Sequence, residues 1–342
     1  MNITFMLGNG FDMNMGLKTS YSDFLQYYLT IPRQEDVHEH FRRFINAEMP
    51  NWTDVEVAIG QSTRYFFGDT AGDDFLAWYD DLYDCLAAYL AGQEESVTGL
   101  DPAVLRRGMV HALTHWQDGF RASRAAAIAD RFAACPGEFR YNFLTFNYTR
   151  TIDACIEASQ DADLGSRVTP EGESANRIGR IVHVHGYTNK DMILGVNDES
   201  QIANPLLLMD RVSFERDRIV KQKANRLFEE GTDELAHSVL ADSDLVYIYG
   251  MSLGKTDKLW WQRLGALLAR KPHVQVIIFA YGAPVDDLHY HRFLRFARAQ
   301  QLKILSNCGN VPEDAMSRIH GTAFNVFGQL KDIAREAGSA AE

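Results

Sequence analysis

An α/β fold, a doubly wound parallel sheet with a helical insertion, is predicted by three observations. Short apolar runs recur along the 342-residue chain, and several are continuous rather than alternating, as strands buried on both faces require. Stretches of helical spacing lie between the runs and supply crossovers. From about residue 35 to 136 the spacing is helical throughout, so 1–34 and 137–342 are expected to form the α/β domain and 35–136 a helical insertion.

The first run, 3–7, reads as a buried strand that stops at Gly8-Asn9-Gly10, a turn entering a helix. Within the insertion, DVEVAIGQSTRYFF, DDFLAWYDDLYDCLAAYL and AVLRRGMVHALTHWQDGF place apolar residues at helical intervals. Further strands are expected at 143–146, 181–184, 192–194, 245–249, 274–279 and 302–305. The polar segment between Ala158 and Arg177, rich in Gly, Ser and acidic residues, reads as a surface loop. Residues 211–226 mix six Lys/Arg with acidic residues and read as a solvated helix face.

Composition narrows the function. A hydrophobic content of 46 % supports a large core, and a net charge of −12 disfavours attraction to nucleic acid or to an anionic membrane. Cys85, Cys135, Cys155 and Cys308 lie without any C-x-x-C pair, so neither a zinc ribbon nor a disulfide framework is written into their spacing. The opening MNITFMLGNG has no basic segment and reaches glycine after seven residues, too short for a signal peptide. No apolar run approaches the roughly 18 residues that span a bilayer. A cytoplasmic protein is expected.

In an open parallel sheet ligands bind outside the carboxyl ends of the strands. After the first run comes Gly8-Asn9-Gly10-Phe11-Asp12, where small residues allow close approach to a phosphate. Asn147-Tyr148 follows the second, His185-Gly186 the third, and Gly250-Met251-Ser252-Leu253-Gly254 follows Tyr249. Gly8, Asn147, His185 and Gly250 are therefore expected around one cleft. Each has a structural alternative: Gly8-Asn9-Gly10 as a tight turn, Asn147 as a helix cap, Asp12 and Asp257 as helix-start charges. His183 and His185 share a strand face, but no neighbouring cysteine or carboxylate completes a metal site.

The blocks LGNGFDMNMGLKTSYSDF, NWTDVE at 51–56, LTFNYT at 144–149 and YGMSLGKTD at 249–257 together resemble the AbiH family of phage abortive-infection proteins. That family is in turn similar to sirtuin-like domains, which implies a Rossmann-like, sirtuin-like sheet. Under the resemblance Gly8-Asn9-Gly10 corresponds to the sirtuin glycine loop. Gly16-Leu17-Lys18 and the aromatic Phe24 resemble the cofactor-loop segment. Asn147 takes the place of the sirtuin asparagine, His185-Gly186 that of the catalytic histidine-glycine, and Gly250-Met251-Ser252-Leu253 that of the second nucleotide-binding turn. The four-cysteine zinc module of the deacylases has no counterpart, and Thr149 stands where an acidic residue is expected. The likeness is therefore closer to the zinc-free sirtuin-like domains of bacterial defence systems, whose usual activity is destruction of NAD.

The activity this implies is hydrolysis of the nicotinamide–ribose bond, with NAD as substrate and no metal. Asn147 and His185 are the expected catalytic residues, His185 as general base. Gly8, Asn9, Gly10, Asp12, Thr19, Phe24, Gly250, Ser252, Leu253 and Asp257 are the expected nucleotide-binding residues. The same pocket residues would serve a sensor that binds an NAD-derived nucleotide without cleaving it. A nuclease-type defence effector is a further alternative, suggested by the defence context and the basic residues of 211–226; the acidic balance and the lack of a paired-carboxylate metal motif count against it. Restraint of a toxic activity in resting cells implies a homo-oligomer or a partner defence protein.

Overall fold

The computed structural model describes residues 1–32, 55–133, 137–169, 172–209, 215, 217–227, 231–254, 257–283 and 290–332. Parts of the expected insertion (33–54, 134–136), Cys135, the first four residues of NWTDVE, part of 211–226 and Lys255-Thr256 lie outside the described residues. The chain forms two compact units. One comprises Met1–Gly16, Val97–Val184 and Asp233–Glu342, the other Leu17–Ser96 and His185–Thr232. Among the described residues 35–136 contributes no strand, but it is divided between the two units at Ser96/Val97.

The first unit holds a six-stranded sheet in the order β5-β2-β1-β6-β7-β8, every neighbouring pair parallel. Its strands are β1 (Asn2–Leu7), β2 (Arg140–Thr145), β5 (Arg177–His183), β6 (Leu245–Tyr249), β7 (Gln275–Phe279) and β8 (Ile319–Thr322). The chain builds outward from β1 to β2 and β5, then returns to the other side of β1 with β6, β7 and β8. Counted within the sheet, this is the 3-2-1-4-5-6 order of Rossmann-like dinucleotide-binding folds, with its reversal at β1. In register, Leu7 stands beside both Thr145 and Tyr249, so the carboxyl ends of the three central strands are level.

Both faces of the sheet are covered, which is why β1, β6 and β7 are largely apolar without alternation. On one face Met6, Leu144, Val246, Ile248 and Val276 pack with Trp261, Leu264 and Leu268 of the helix Lys258–Arg270 and with Val239 and Leu240 of Thr232–Asp242. On the other, Phe5 stacks with Phe143 and Tyr247 at 5.5 and 5.3 Å, and Phe327 closes over Phe5 and Phe11.

Three sequence expectations are corrected, and one further strand is unanticipated. Residues 302–305 belong to the helix Tyr290–Cys308, with Ile304 buried and Leu302 half exposed, since a four-residue apolar run carries no period of its own. Residues 192–194 are buried in the second unit without forming a strand; on either side of them Tyr187 bridges to Lys190 and Val196 to Val220. The polar segment read as a loop contains an antiparallel hairpin, β3 (Ser166–Thr169) with β4 (Gly172–Ala175), held by its backbone ladder. The last strand, β8, reads IHGT and offers too little apolar pattern to be recognised.

The second unit is helical. Ser20 caps the helix Tyr21–Thr30 by accepting the Asp23 N–H at 3.1 Å. The long helix Ala71–Thr98 supplies Phe75, Trp78 and Tyr79 to a core that includes Phe66. Among the described residues no helix is long and apolar enough to cross a membrane.

Candidate active site

The site in the first unit is built where β1, β2 and β6 end. Gly8 begins the turn after β1 and Gly250 the turn after β6, and the two turns interlock. The Gly8 N–H donates to the Tyr249 carbonyl at 2.9 Å, and the Gly10 N–H to the Gly250 carbonyl at 3.0 Å. A Cβ on Gly10 would stand 2.5 Å from the Gly250 Cα, and one on Gly250, whose φ is 69°, would stand 2.7 Å from the Gly10 Cα. Both residues must therefore be glycine for the turns to touch. The Phe11 N–H is taken by the Gly8 carbonyl at 2.9 Å. The amides of Gly8, Gly10 and Phe11, expected to face a phosphate, thus hold the turns together instead.

Asp12 sits in the short helix Gly10–Asn14 and is 1 % exposed. Its carboxylate accepts the Asn147 Nδ2–H at 3.0 Å and the Thr149 hydroxyl at 2.6 Å. Thr151 donates to the Thr149 hydroxyl at 3.1 Å, extending the chain of donors to the start of the helix Thr151–Glu157. Thr149 thus donates to a carboxylate that comes from the β1 side. Asp12 is no solvated helix-start charge.

Asn147 does not cap a helix. Arg150 holds the N-cap position of Thr151–Glu157 and makes no side-chain capping bond. The Asn147 backbone N–H donates to the Thr145 hydroxyl at 3.2 Å, and the side-chain Nδ2 is held by Asp12. The side chain is buried, and among the described residues its carbonyl Oδ1 has no hydrogen-bond partner. A buried acceptor without a donor is costly, and such atoms concentrate at functional sites.

The turn after β6 is clamped by its carbonyls. Lys303 donates to the Ser252 carbonyl at 2.7 Å, Asn307 to that of Leu253 at 3.0 Å and Trp261 to that of Gly254 at 2.8 Å. Leu253 is buried in the core with φ 51°, a left-handed conformation that a bulky residue adopts only when its surroundings force it. The Ser252 side chain is exposed, and its hydroxyl accepts the Gly254 N–H at 3.3 Å. Asp257 is the N-cap residue of Lys258–Arg270 without a side-chain capping bond. Below the site, Tyr249 donates to Asn325 at 2.7 Å, Asn325 to Asn14 at 2.8 Å and Asn14 to the Phe327 carbonyl at 2.9 Å. These bonds fix the floor of the first turn.

The remaining predicted residues lie in the second unit. Thr19 is buried, and Phe24 packs against Tyr28 and Tyr89 at 5.8 Å each, as a core aromatic. His185, two residues beyond β5, is 6 % exposed, and its Nε2 lies 3.4 Å from the Lys221 ammonium. That ammonium is bound to Glu56 at 2.6 Å. Sequence reasoning missed both partners. Glu56 ends the NWTDVE block, a signal left unused, whereas Lys221 lay within the stretch read as solvated and is buried. His183, the other histidine of the pair, is bound to Asp153 at 2.8 Å in the first unit.

The strand order defines an α/β protein with a Rossmann-like parallel sheet. The family model described as bacteriophage abortive infection AbiH matches residues 4–279. The chain belongs to the AbiH family, and its role is in phage abortive infection. No curated protein sequence matches it.

Proposed function

We propose that the protein is an NAD hydrolase of the sirtuin-like, zinc-free kind, which cleaves the nicotinamide–ribose bond during abortive infection. One observation carries this reading: the carbonyl oxygen of Asn147, buried and unpaired, is held by Asp12 at the end of β2, level with the reversal point of the sheet. An amide fixed at its nitrogen and open at its oxygen suits a sugar hydroxyl or an attacking water, both of which bring O–H donors. In the reaction the bond between C1′ and the pyridinium nitrogen breaks, positive charge builds on the ribose, water adds at C1′ and its proton is released, leaving ADP-ribose and nicotinamide. A preoriented acceptor at the water or the sugar lowers the barrier through alignment, and the buried Asp12 carboxylate keeps that acceptor in place. In this reading His185 takes part in the reaction, in the form that its own neighbours dictate.

The experiment is release of nicotinamide from NAD by the purified full chain, with Asn147→Ala beside it. A fall of at least about 100-fold in rate, the scale of losing one oriented polar group in a transition state, is the expected result. Binding of NAD without release would support the sensor instead. Magnesium-dependent cleavage of plasmid or RNA with NAD untouched would support the nuclease.

A further inference from the structure

Lys221 is 4 % exposed, an environment that lysine enters only when its charge is matched. Glu56, itself 7 % exposed, provides the match: Nζ and Oε2 are 2.6 Å apart. The same Nζ lies 3.4 Å from Nε2 of His185. All three residues belong to the second unit and come from separate segments: the helix Val55–Ser62, the residue two places beyond β5, and the first position of Lys221–Leu227.

Chemistry constrains the imidazole here. An ammonium group has three protons and no lone pair, so Lys221 can only donate. Its other partner is the Glu56 carboxylate. The atom it approaches on His185 must then be an acceptor, which leaves the proton of the neutral ring on Nδ1. Protonating Nε2 as well would put two cations 3.4 Å apart where water is excluded. The backbone limits escape. The His185 carbonyl accepts the Ile193 N–H at 2.8 Å, and Gly186, at φ 65°, leaves no room for a Cβ against the Asp191 carbonyl. Among the described residues, Tyr79 is a further ionisable group near Glu56, with Arg218 and Asp80 beside it. The Tyr79 hydroxyl donates to the Leu194 carbonyl at 2.7 Å and is held protonated by burial, while Arg218 lies over the Tyr79 ring and pairs with Asp80.

We infer that Lys221, held by Glu56, is a positioning residue that keeps His185 neutral with its proton on Nδ1, so that His185 serves as a hydrogen-bond donor and not as a general base. The inference rests on the hydrolase reading only for the place of His185 in a reaction; the state of the ring is independent of it.

The test uses the full chain labelled with ¹⁵N-histidine, His185→Gln identifying the resonance. Two-bond proton–nitrogen spectra are expected to show a protonated Nδ1 and a bare Nε2, unchanged between about pH 8 and 5.5. In Glu56→Gln/Lys221→Met, which removes both charges together, the ring should titrate near its ordinary value of about 6.5. Lys221→Arg, which keeps the cation, should retain the wild-type pattern. An Nε2–H tautomer in the wild type, or an imidazolium already formed at about pH 6.5, would overturn the inference. Nicotinamide release supplies a second readout: a flat profile in the wild type and an acidic limb in the double variant. A wild-type limb near pH 6.5 that the double variant leaves in place would also overturn it. A wild type that releases no nicotinamide sinks the hydrolase reading alone, since the nitrogen spectrum still decides the ring.

Discussion

The Asp12 carboxylate accepts the Asn147 side-chain N–H across 3.0 Å, tying the helix after β1 to the turn after β2. The two substitutions are therefore not equivalent. Asn147→Ala removes the open acceptor and leaves Asp12 with Thr149, so turnover should be lost while Tm changes little. Asp12→Ala strands Asn147 Nδ2 and the Thr149 hydroxyl together and should cost about 1.5–3 kcal/mol, the range for hydrogen bonds to a charged group. Melting and nicotinamide release measured on the same samples check this; a stable Asp12→Ala with full activity would refute it.

The interlocked turns make a steric prediction. Gly10→Ala and Gly250→Ala each force a Cβ into backbone at 2.5 and 2.7 Å and should cost about 1–3 kcal/mol, more at Gly250 because of its positive φ. Gly92→Ala, in the helix Ala71–Thr98 with nothing within 4 Å, is the control and should be neutral or stabilising by about 0.5–1 kcal/mol. Thermal melting compares the three. Equal Tm values for Gly10→Ala and Gly92→Ala would disprove the contact.

Alkaline pH should unfold the protein. Burial pushes the hydroxyls of Tyr79, Tyr141, Tyr247 and Tyr249 above their ordinary value, and the Cys155 and Cys308 thiols up to about 12. These groups bind their protons more tightly when folded, so their contribution is intact below the unfolded values. It is lost as pH rises from about 9 through the folded ones, because the unfolded chain ionises first. Tm should hold between about pH 7 and 8.5 and fall steadily by pH 10.5. A constant Tm over that range would contradict the assignment.

The same burial makes two thiols inert. With a value of about 12, Cys155 and Cys308 carry on the order of 10⁻⁴ thiolate at pH 8 and should escape iodoacetamide until the chain is unfolded. Peptide mapping by mass spectrometry before and after denaturant reads this directly. Modification of either one in the folded protein would show that its site opens.

The amino-acid sequence by itself determined the parallel sheet, because β1, β6 and β7 are largely continuous apolar runs, as a doubly covered sheet requires. It also marked the ends of the strands, since glycine turns and Asn147 interrupt the runs where they stop. Short or polar elements were not legible: β8 has too few apolar residues to show a period, and 302–305 fits a strand or a helix equally until its neighbours are placed. Only the tertiary structure decided what the polar residues do. Asp12 and Asn147 are 135 positions apart, and their hydrogen bond exists because β1 and β2 are neighbours in the sheet. Lys221 and Glu56 are 165 apart, and nothing local distinguishes Lys221 from the other cations of its segment. Burial and partnership are long-range properties, set by which segments the fold brings together, and a local pattern of residue types does not contain them.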